Sequence, residues 1–412
     1  MASTIREQFE TTGKTRTWSL ALMGLGILAF LIGLITHALS GDIHKQAIFW
    51  GTLLYNCVFF LLICNASMFF ICVTTLAHGG WQTVFRRVPE AISAVVPIFG
   101  LIALFIMFFI VFGLGHGQEH HPIYHWITPG HDKIINAKKG FLNPAFFVIW
   151  SLLSVGLWSY LGMRMRRLSR ESDERNMSLE QSKKWVWNNT VTASLFTVWF
   201  GLTVASTTPW FWLMSIDTHW YSTMFSWYTF ASSFVSGIAL ITLWVIFLKN
   251  KGYLEYTTEE HLHDLGKFMF AFSIFWTYLW FSQYMLIWYG NIPEETIYFK
   301  PRVQGAWRGI FYLNLIINFV CPLLILMKRS SKRNYTMLTF MSMLILFGHW
   351  IDFNQMVMGS ISKEHVTLGW LDFGVLALFA GMTIFFVGRA LAKAPLIPRN
   401  HPYLKESIIH HT

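Results

Sequence analysis

Long apolar segments alternate with short polar ones along nearly the whole chain. A helix needs about 20 residues to cross the roughly 30 Å hydrocarbon core of a bilayer, and ten segments reach about that length. They cover residues 18–39, 47–77, 91–114, 144–163, 186–208, 220–248, 267–289, 306–327, 335–353 and 368–392. The pattern therefore predicts an all-α integral membrane protein. Its ten-helix membrane domain covers 18–392, between an N-terminal tail (1–17) and a C-terminal tail (393–412).

The order of the spans favours an internal repeat. The fourth and eighth spans each follow a long loop and end in a basic cluster, RMRRLSR and MKRSSKR respectively. Because an offset of four helices preserves orientation, helices two to five and six to nine would form two parallel four-helix bundles. The first and tenth helices would flank them. The basic segment 164–184 is expected to be a solvated connector.

Composition and charge agree with a membrane protein. Only 13% of the residues are charged, while 54% are hydrophobic, which excludes an ordinary soluble domain. The net charge of +10 is not a sign of nucleic-acid binding, because 23 of the 31 Lys and Arg residues lie on the side of the two tails. The positive-inside rule then predicts a multi-pass protein with both termini in the cytoplasm.

Cysteine and histidine patterns predict no metal or haem held by this chain. The four cysteines lie inside the expected spans, without a C-x-x-C or C-x-x-C-H motif, so they are expected to be packing residues. His261, His263, His410 and His411 are expected to be exposed.

A few polar and ionisable residues lie near the span ends opposite the tails. Such groups are costly at membrane depth and are therefore functional candidates. They are Asp217, His219, Gln283, Tyr284, His349, Asp352 and Asp372. His349 and Asp352 are three residues apart and share a helix face, which favours a proton-accepting or quinol-facing pair. The alternative for each residue is a structural role, such as capping a helix end.

A stripe of hydroxyl residues follows the sixth span. Ser222, Ser226, Thr229, Ser233 and Ser236 are spaced to share one helix face. Two interpretations are open. The hydroxyls either bond to backbone carbonyls between closely packed helices, or they line a water-assisted proton path.

The loop HGQEHHPIYHWITPGHDK, residues 116–133, holds five of the sixteen histidines. These are His116, His120, His121, His125 and His131. Their spacing does not supply the compact four-ligand set of a structural zinc site. We expect a docking surface for periplasmic partners, with a plain solvated loop as the alternative.

Four stretches carry a resemblance to a known family. HPIYHWITPG, HDKIINAKKGFLNPAFF, SIDTHWYSTMF and SQYMLIWYGNIPEET are similar to the F-type membrane subunit of alternative complex III. Alternative complex III is a bacterial quinol:cytochrome c oxidoreductase, and its membrane subunit of this type is a member of the polysulfide-reductase NrfD-like family. The resemblance extends over nearly the whole chain.

The resemblance implies a subunit of a respiratory complex in the bacterial inner membrane, which scaffolds redox partners and conducts protons. The expected partners are a homologous NrfD-like subunit, periplasmic multihaem cytochromes c, an iron–sulfur protein, small membrane-anchored subunits, a terminal oxidase and lipids. Haem c and iron–sulfur clusters would lie in those partners, and this chain itself would bind at most a quinol. It implies no specific catalytic residue.

The alternative is a stand-alone secondary transporter with a polar site at the periplasmic side. Transporters commonly interrupt helices near mid-membrane with Gly or Pro. Pro209, Pro293 and Pro322 lie towards span ends, which predicts an unbroken midplane and favours the respiratory subunit.

Overall fold

A computed structural model describes residues 8–115, 120–174 and 178–411. Every regular element in these residues is helical. Nine described helices are long and apolar enough to cross a membrane. They are α1 (Gly13–Ala38), α2 (Ile43–Leu76), α3 (Arg87–Gly113), α4 (Pro144–Asp173), α5 (Leu179–Ile216), α6 (Met224–Asn250), α8 (Arg308–Leu326), α9 (Tyr335–Ile361) and α10 (Trp370–Leu391).

One further long helix, α7 (Glu259–Gly290), covers the seventh predicted segment. It has 32 residues, but it is not among the nine, since polar side chains along it lower its hydropathy. The all-helical, multi-pass character expected from the sequence is thus confirmed at the level of nine apolar helices.

Helices α2 and α6 form the centre of the array. In each of these two helices, 89% of the most apolar stretch of 18 residues is buried. Helix α2 packs against α3, α5, α6, α9 and α10, and α6 packs against α2, α7 and α9. Further contacts join α3 to α4, α4 to α5, α7 to α8 and α8 to α9.

Helices α1 and α10 pack closely along their length. Small residues allow this approach: a Cβ on Gly26 would lie 2.5 Å from the Cβ of Leu378, and one on Gly374 would lie 2.2 Å from the Cβ of Ala29. Close packing of small residues is a common basis of helix association in membranes, where burial of apolar surface adds little.

Three of these helices contain a π-helical turn, at Leu34–Ala38 in α1, Thr203–Thr207 in α5 and Ile316–Val320 in α8. Proline lacks an N–H, so Pro322 cannot donate to the carbonyl of residue 318, which disrupts the regular α-helical pattern. The turn in α8 lies in the middle of that helix. Helix α8 nevertheless stays helical from Arg308 to Leu326, so the π-helical turn changes its register without breaking it.

Several helices extend well beyond their predicted ends, and α4 and α9 matter most for the site. Helix α4 continues from the expected end at 163 into the basic segment, so residues 164–173 are helical, although Arg167 and Glu171 on it are exposed as expected of a solvated connector. An ion pair between Arg87 and Asp173 fixes this extension. Helix α9 continues past the expected end at 353 to Ile361, because its last turns are buried although they are polar in sequence.

The first and last described residues, near Gln8 and His411, lie at the same end of the array, here called the basic end. The Gln8 side chain donates to the Ala392 carbonyl (2.8 Å). The opposite end, here called the histidine-loop end, holds the loops 120–143, 217–223, 291–307 and 362–369. An ion pair between Asp132 and His219 joins the first loop to the second, and one between Asp217 and Lys363 joins the second to the fourth.

The C-terminal tail packs across the basic end. The Arg399 N–H donates to Asp173 (3.2 Å), the His261 ring contacts the Ser407 carbonyl (3.0 Å), and the His410 ring contacts Asp264 (2.7 Å). Its contacts correct one expectation: His261 and His263 are buried and His410 is half-buried, and of the four histidines only His411 is exposed as expected.

Candidate functional site

Asp352 lies two-thirds of the way along α9, fully buried inside the array. It is nine residues from the end of α9 at Ile361, or about 14 Å at 1.5 Å per residue. The prediction placed it near the end of its helix, and the longer α9 corrects this.

Four neutral side chains from three other helices donate hydrogen bonds to the Asp352 carboxylate. Tyr228 and Ser232 of α6 donate through their hydroxyls, the latter at 3.3 Å. The Trp276 indole of α7 donates at 3.1 Å and the Asn314 amide of α8 at 3.0 Å. The carboxylate is therefore well solvated by the protein, as a buried polar group must be.

His349 is the ionisable group that shares this cluster with Asp352. Its Nδ1 lies 2.9 Å from the Ser232 hydroxyl and 3.9 Å from an oxygen of Asp352. Its Nε2 is buried and has no partner among the described residues. The predicted pairing of His349 with Asp352 on one helix face is confirmed as a spatial neighbourhood, with Ser232 between them.

The π-helical turn of α8 brings two amides to the cluster. Asn318 donates to the Asn314 side-chain oxygen (2.9 Å), and Asn314 also lies 3.4 Å from the Gln355 side-chain oxygen. Gly348 of α9 permits the close approach, because a Cβ there would lie 2.2 Å from the Asn318 side chain. Helix α8 thus supplies buried hydrogen-bonding groups on both sides of the start of its π-helical turn.

A buried arginine connects the cluster to the histidine-loop end. Arg302 is 2% exposed, and its guanidinium donates to the Gln355 carbonyl (3.1 Å) and to the Ser360 hydroxyl (2.8 Å). Ser360 donates in turn to Asp217, which pairs with the half-exposed Lys363 (3.0 Å).

The fit of Arg302 is tight on both faces. Its guanidinium lies 3.6 Å from the centroid of the Tyr298 ring. A Cβ on Gly359 would lie 3.1 Å from the guanidinium. Tyr298 also stacks on Trp220 at 4.0 Å between ring centroids. Polar contacts therefore run from Lys363 at the surface to the backbone carbonyl of Gln355. The side chain of the same residue lies 3.4 Å from Asn314, which donates to Asp352.

Three of the candidates chosen from the sequence lie away from Asp352. His219 is 46% exposed and pairs with Asp132 (3.2 Å) in the histidine loop. Gln283 is buried in α7, while Tyr284 packs on Phe299 and Phe311 and lines an open cleft of about 320 Å³.

Asp372 caps α10 and also joins it to α2. One oxygen accepts from the Gly369 N–H (2.9 Å), which is the structural role considered for such residues. The other accepts from the Tyr55 hydroxyl (2.7 Å) and the Thr52 hydroxyl (3.3 Å) of α2. Asn354 of α9 also contacts it at 3.4 Å.

The hydroxyl stripe of α6 bonds to backbone. Thr229, Ser233 and Ser236 donate to the carbonyls one turn earlier in α6, and Ser226 donates to the Ser206 carbonyl of α5. Ser222, half-buried, lies before the first turn of α6. The packing interpretation is confirmed for those four hydroxyls, and Ser232, on the neighbouring face, is the serine of α6 that contacts Asp352.

The histidine loop contains one buried and several exposed histidines. His121 is 2% exposed, and its Nδ1 accepts the N–H groups of Ile123 and Tyr124. Its Nε2 therefore carries the proton and donates to the Ile110 carbonyl (2.8 Å). His120, His125 and His131 are exposed, and His116 lies outside the described residues.

The main residues missed from the sequence are those that surround Asp352 or connect it to the histidine-loop end. They are Tyr228, Ser232, Trp276, Arg302, Asn314 and Gln355. Asn314 and Asn318 gave a readable signal, since two amides four residues apart inside an apolar span share one face. Arg302 gave none, because its neighbours in the sequence are those of a surface loop.

The chain was compared with models of protein families and with curated proteins. No family model matches the chain, and no curated protein matches it. Among the described residues, no group of three or more His, Cys, Asp or Glu side chains is arranged to hold a metal ion.

Proposed function

We propose that this chain is an integral membrane subunit of a respiratory quinol-oxidising complex, in which it scaffolds redox partners and handles protons. The observation that carries the proposal is the Asp352 cluster: a buried carboxylate and histidine at membrane depth, with polar contacts leading to the histidine-loop end. Intramembrane ionisable groups of this kind typically belong to proton or ion pathways. The four sequence stretches similar to alternative complex III support the same role.

The proposed architecture has ten transmembrane helices, with α7 as the seventh. Helices α2–α5 would form one four-helix bundle and α6–α9 the other, with α1 and α10 beside them. Contacts between neighbouring helices within each set support this division. The bias of Lys and Arg towards the basic end supports a cytoplasmic location for both termini.

The cluster has the groups that proton transfer needs. Asp352 is held by neutral donors, so it can accept a proton without breaking an ion pair. The Ser232 hydroxyl contacts both Asp352 and His349 and can pass a proton between them by rotating. Lys363, Asp217 and Ser360 lie on the route to the surface, where protons from quinol oxidation would leave on the periplasmic side.

The proposed partners are the homologous NrfD-like subunit, multihaem cytochromes c, an iron–sulfur protein, small anchored subunits and a terminal oxidase. The exposed histidines at 120, 125 and 131, with His219, form a polar surface for periplasmic partners. The haems and iron–sulfur clusters would lie in those partners.

Gentle purification from native membranes tests the proposal. The tag belongs at the N-terminus, because the C-terminal tail packs against Asp264. We expect c-type haem absorbance, an iron–sulfur protein and quinol:cytochrome c activity in the same preparation. A single chain without iron or colour would contradict the proposal.

A secondary transporter is the second candidate, favoured by one observation. Asn314 and Asn318, at the π-helical turn in the middle of α8, lie beside a buried carboxylate, and buried polar and ionisable groups of this kind also mark substrate and ion pathways in transporters. If the chain purifies alone, uptake of solutes driven by a proton gradient into proteoliposomes, abolished by Asp352→Asn, would assign it to this class.

A further inference from the structure

A second feature of the histidine-loop end lies apart from the Asp352 cluster. A cleft of about 300 Å³ opens between the end of α5, the start of α6 and the segment that precedes α4. Its walls are mainly apolar and aromatic, formed by Phe141, Leu142, Trp210, Met214, Trp220 and Tyr221. It lies at the level of the helix ends, where Trp and Tyr typically meet the lipid headgroups.

One cationic side chain reaches into this apolar cleft. Lys138 is half-buried, and its ammonium donates to the Thr218 carbonyl at 2.6 Å, which leaves two of its three N–H groups for another acceptor. Burial lowers the pKa of Lys138, so an anionic partner would stabilise its charged form. Asp132 is close enough to favour the charged form of Lys138 electrostatically, but its ion pair is with His219 (3.2 Å).

Further donors border the same cleft. Thr223 precedes the 27-residue helix α6 without capping it through its side chain, so the first N–H groups of α6 have no side-chain acceptor there. Trp210 and Trp220 also line the cleft, but their indole nitrogens are buried, so their rings add apolar surface and not donors.

We propose that this cleft binds one anionic phospholipid, with its phosphate between Lys138 and the start of α6 and an acyl chain along Phe141, Leu142 and Met214. The combination of a cation, N–H donors and apolar walls at headgroup depth matches an amphiphile with a negative head. The proposal does not depend on the respiratory role of the chain.

The site is tested by lipid binding to the purified, delipidated protein, together with any subunits that accompany it. Native mass spectrometry during titration with phosphatidylglycerol counts the bound lipids. Lys138→Gln should remove one tightly bound lipid and weaken its binding about tenfold, as expected for one charge-assisted hydrogen bond. Lys139→Gln is the matched control, because Lys139 is exposed and does not line the cleft.

Two further measurements locate and identify the ligand. A photoreactive phosphatidylglycerol should crosslink to the segments 138–142 and 214–223. Ser222→Trp fills the cleft and should abolish this crosslink. This second variant tests the site even where Lys138→Gln does not fold. Glycerol 3-phosphate should not compete, since it lacks acyl chains. Unchanged lipid binding in both variants, competition by glycerol 3-phosphate, or a quinone crosslinking to these segments in place of the lipid would overturn the proposal.

Discussion

Two buried carboxylates, Glu90 at the start of α3 and Asp352 in α9, are surrounded by opposite chemistry. Glu90 lies between Arg86 (3.1 Å) and Arg87 (2.7 Å), and Arg87 also pairs with Asp173 of α4. Among the described residues, the side chains that donate hydrogen bonds to Asp352 are neutral. The nearby base is His349, whose Nδ1 lies 3.9 Å from an Asp352 oxygen.

The difference separates structural charge from functional charge. Protonation of Glu90 would leave two buried guanidinium groups with one carboxylate fewer, so its charge is held in place. Arg87 then joins α3 to α4 through Asp173. A carboxylate among neutral donors can take up a proton without leaving a cation unpaired. We therefore expect substitution of Glu90 to affect stability first and substitution of Asp352 to affect activity first.

The largest expected effect is the loss of stability in Glu90→Ala. The substitution leaves Arg86 and Arg87 buried with one carboxylate fewer, which typically costs about 3–5 kcal/mol. Unfolding in mixed micelles of increasing SDS content measures it. The control is Glu171→Ala, which breaks an exposed pair with Arg167 and should cost less than about 1 kcal/mol. Equal losses of unfolding free energy in Glu90→Ala and Glu171→Ala would show that Glu90 is not a structural charge.

Asp352→Asn should reduce quinol-dependent turnover about 100-fold, the lower range for loss of a proton-transfer group. The amide keeps the shape and one acceptor oxygen, so the unfolding midpoint should move much less than in Glu90→Ala. Ser233→Ala is the matched control, because the Ser233 hydroxyl donates to the Thr229 carbonyl of its own helix. Wild-type turnover in Asp352→Asn would assign the cluster to structure.

A smaller effect concerns pH and the C-terminal tail at the basic end. Burial, and then Arg86 and Arg87, hold the pKa of His401 well below its usual value of 6.5. The unfolded chain thus binds a proton more readily than the folded one, so stability is intact above about pH 6.5 and declines as the pH falls below it.

Hydrogen exchange of residues 399–411 between pH 5 and 8 measures this effect. Protection of the tail should decrease on acidification in the wild type. His401→Phe, which retains a ring against Trp185, should show protection that no longer depends on pH in this range. The same pH dependence in both proteins would exclude His401 as its source.

The sequence predicts the apolar helices and, within the site, the pair His349 and Asp352 on one face of α9. Hydropathy is a local property, and the three-residue spacing of His349 and Asp352 fixes their common face. What the sequence does not fix is the rotation of one helix against another. A turn of about 100° per residue decides that Ser232, and not Ser233, contacts Asp352.

Helix ends and buried loop residues are harder to predict because they depend on distant partners. The last turns of α9 contain Gln355 and Ser360, whose polarity suggested an exposed end, but the guanidinium of Arg302 contacts both of them. Arg302 in turn is accommodated by the absence of a side chain at Gly359. None of these four residues reveals its environment from its neighbours in the chain.

The π-helical turn at Ile316–Val320 has a consequence for sequence length. A π-helical turn holds one residue more than an α-helical turn, so it shifts the register of everything beyond it by about 100° and 1.5 Å. Losing a single residue there would restore an ordinary helix and rotate Asn314 relative to Cys321 and the residues after it. Related chains that differ by one residue at this point would therefore differ in whether α8 reaches the carboxylate at all.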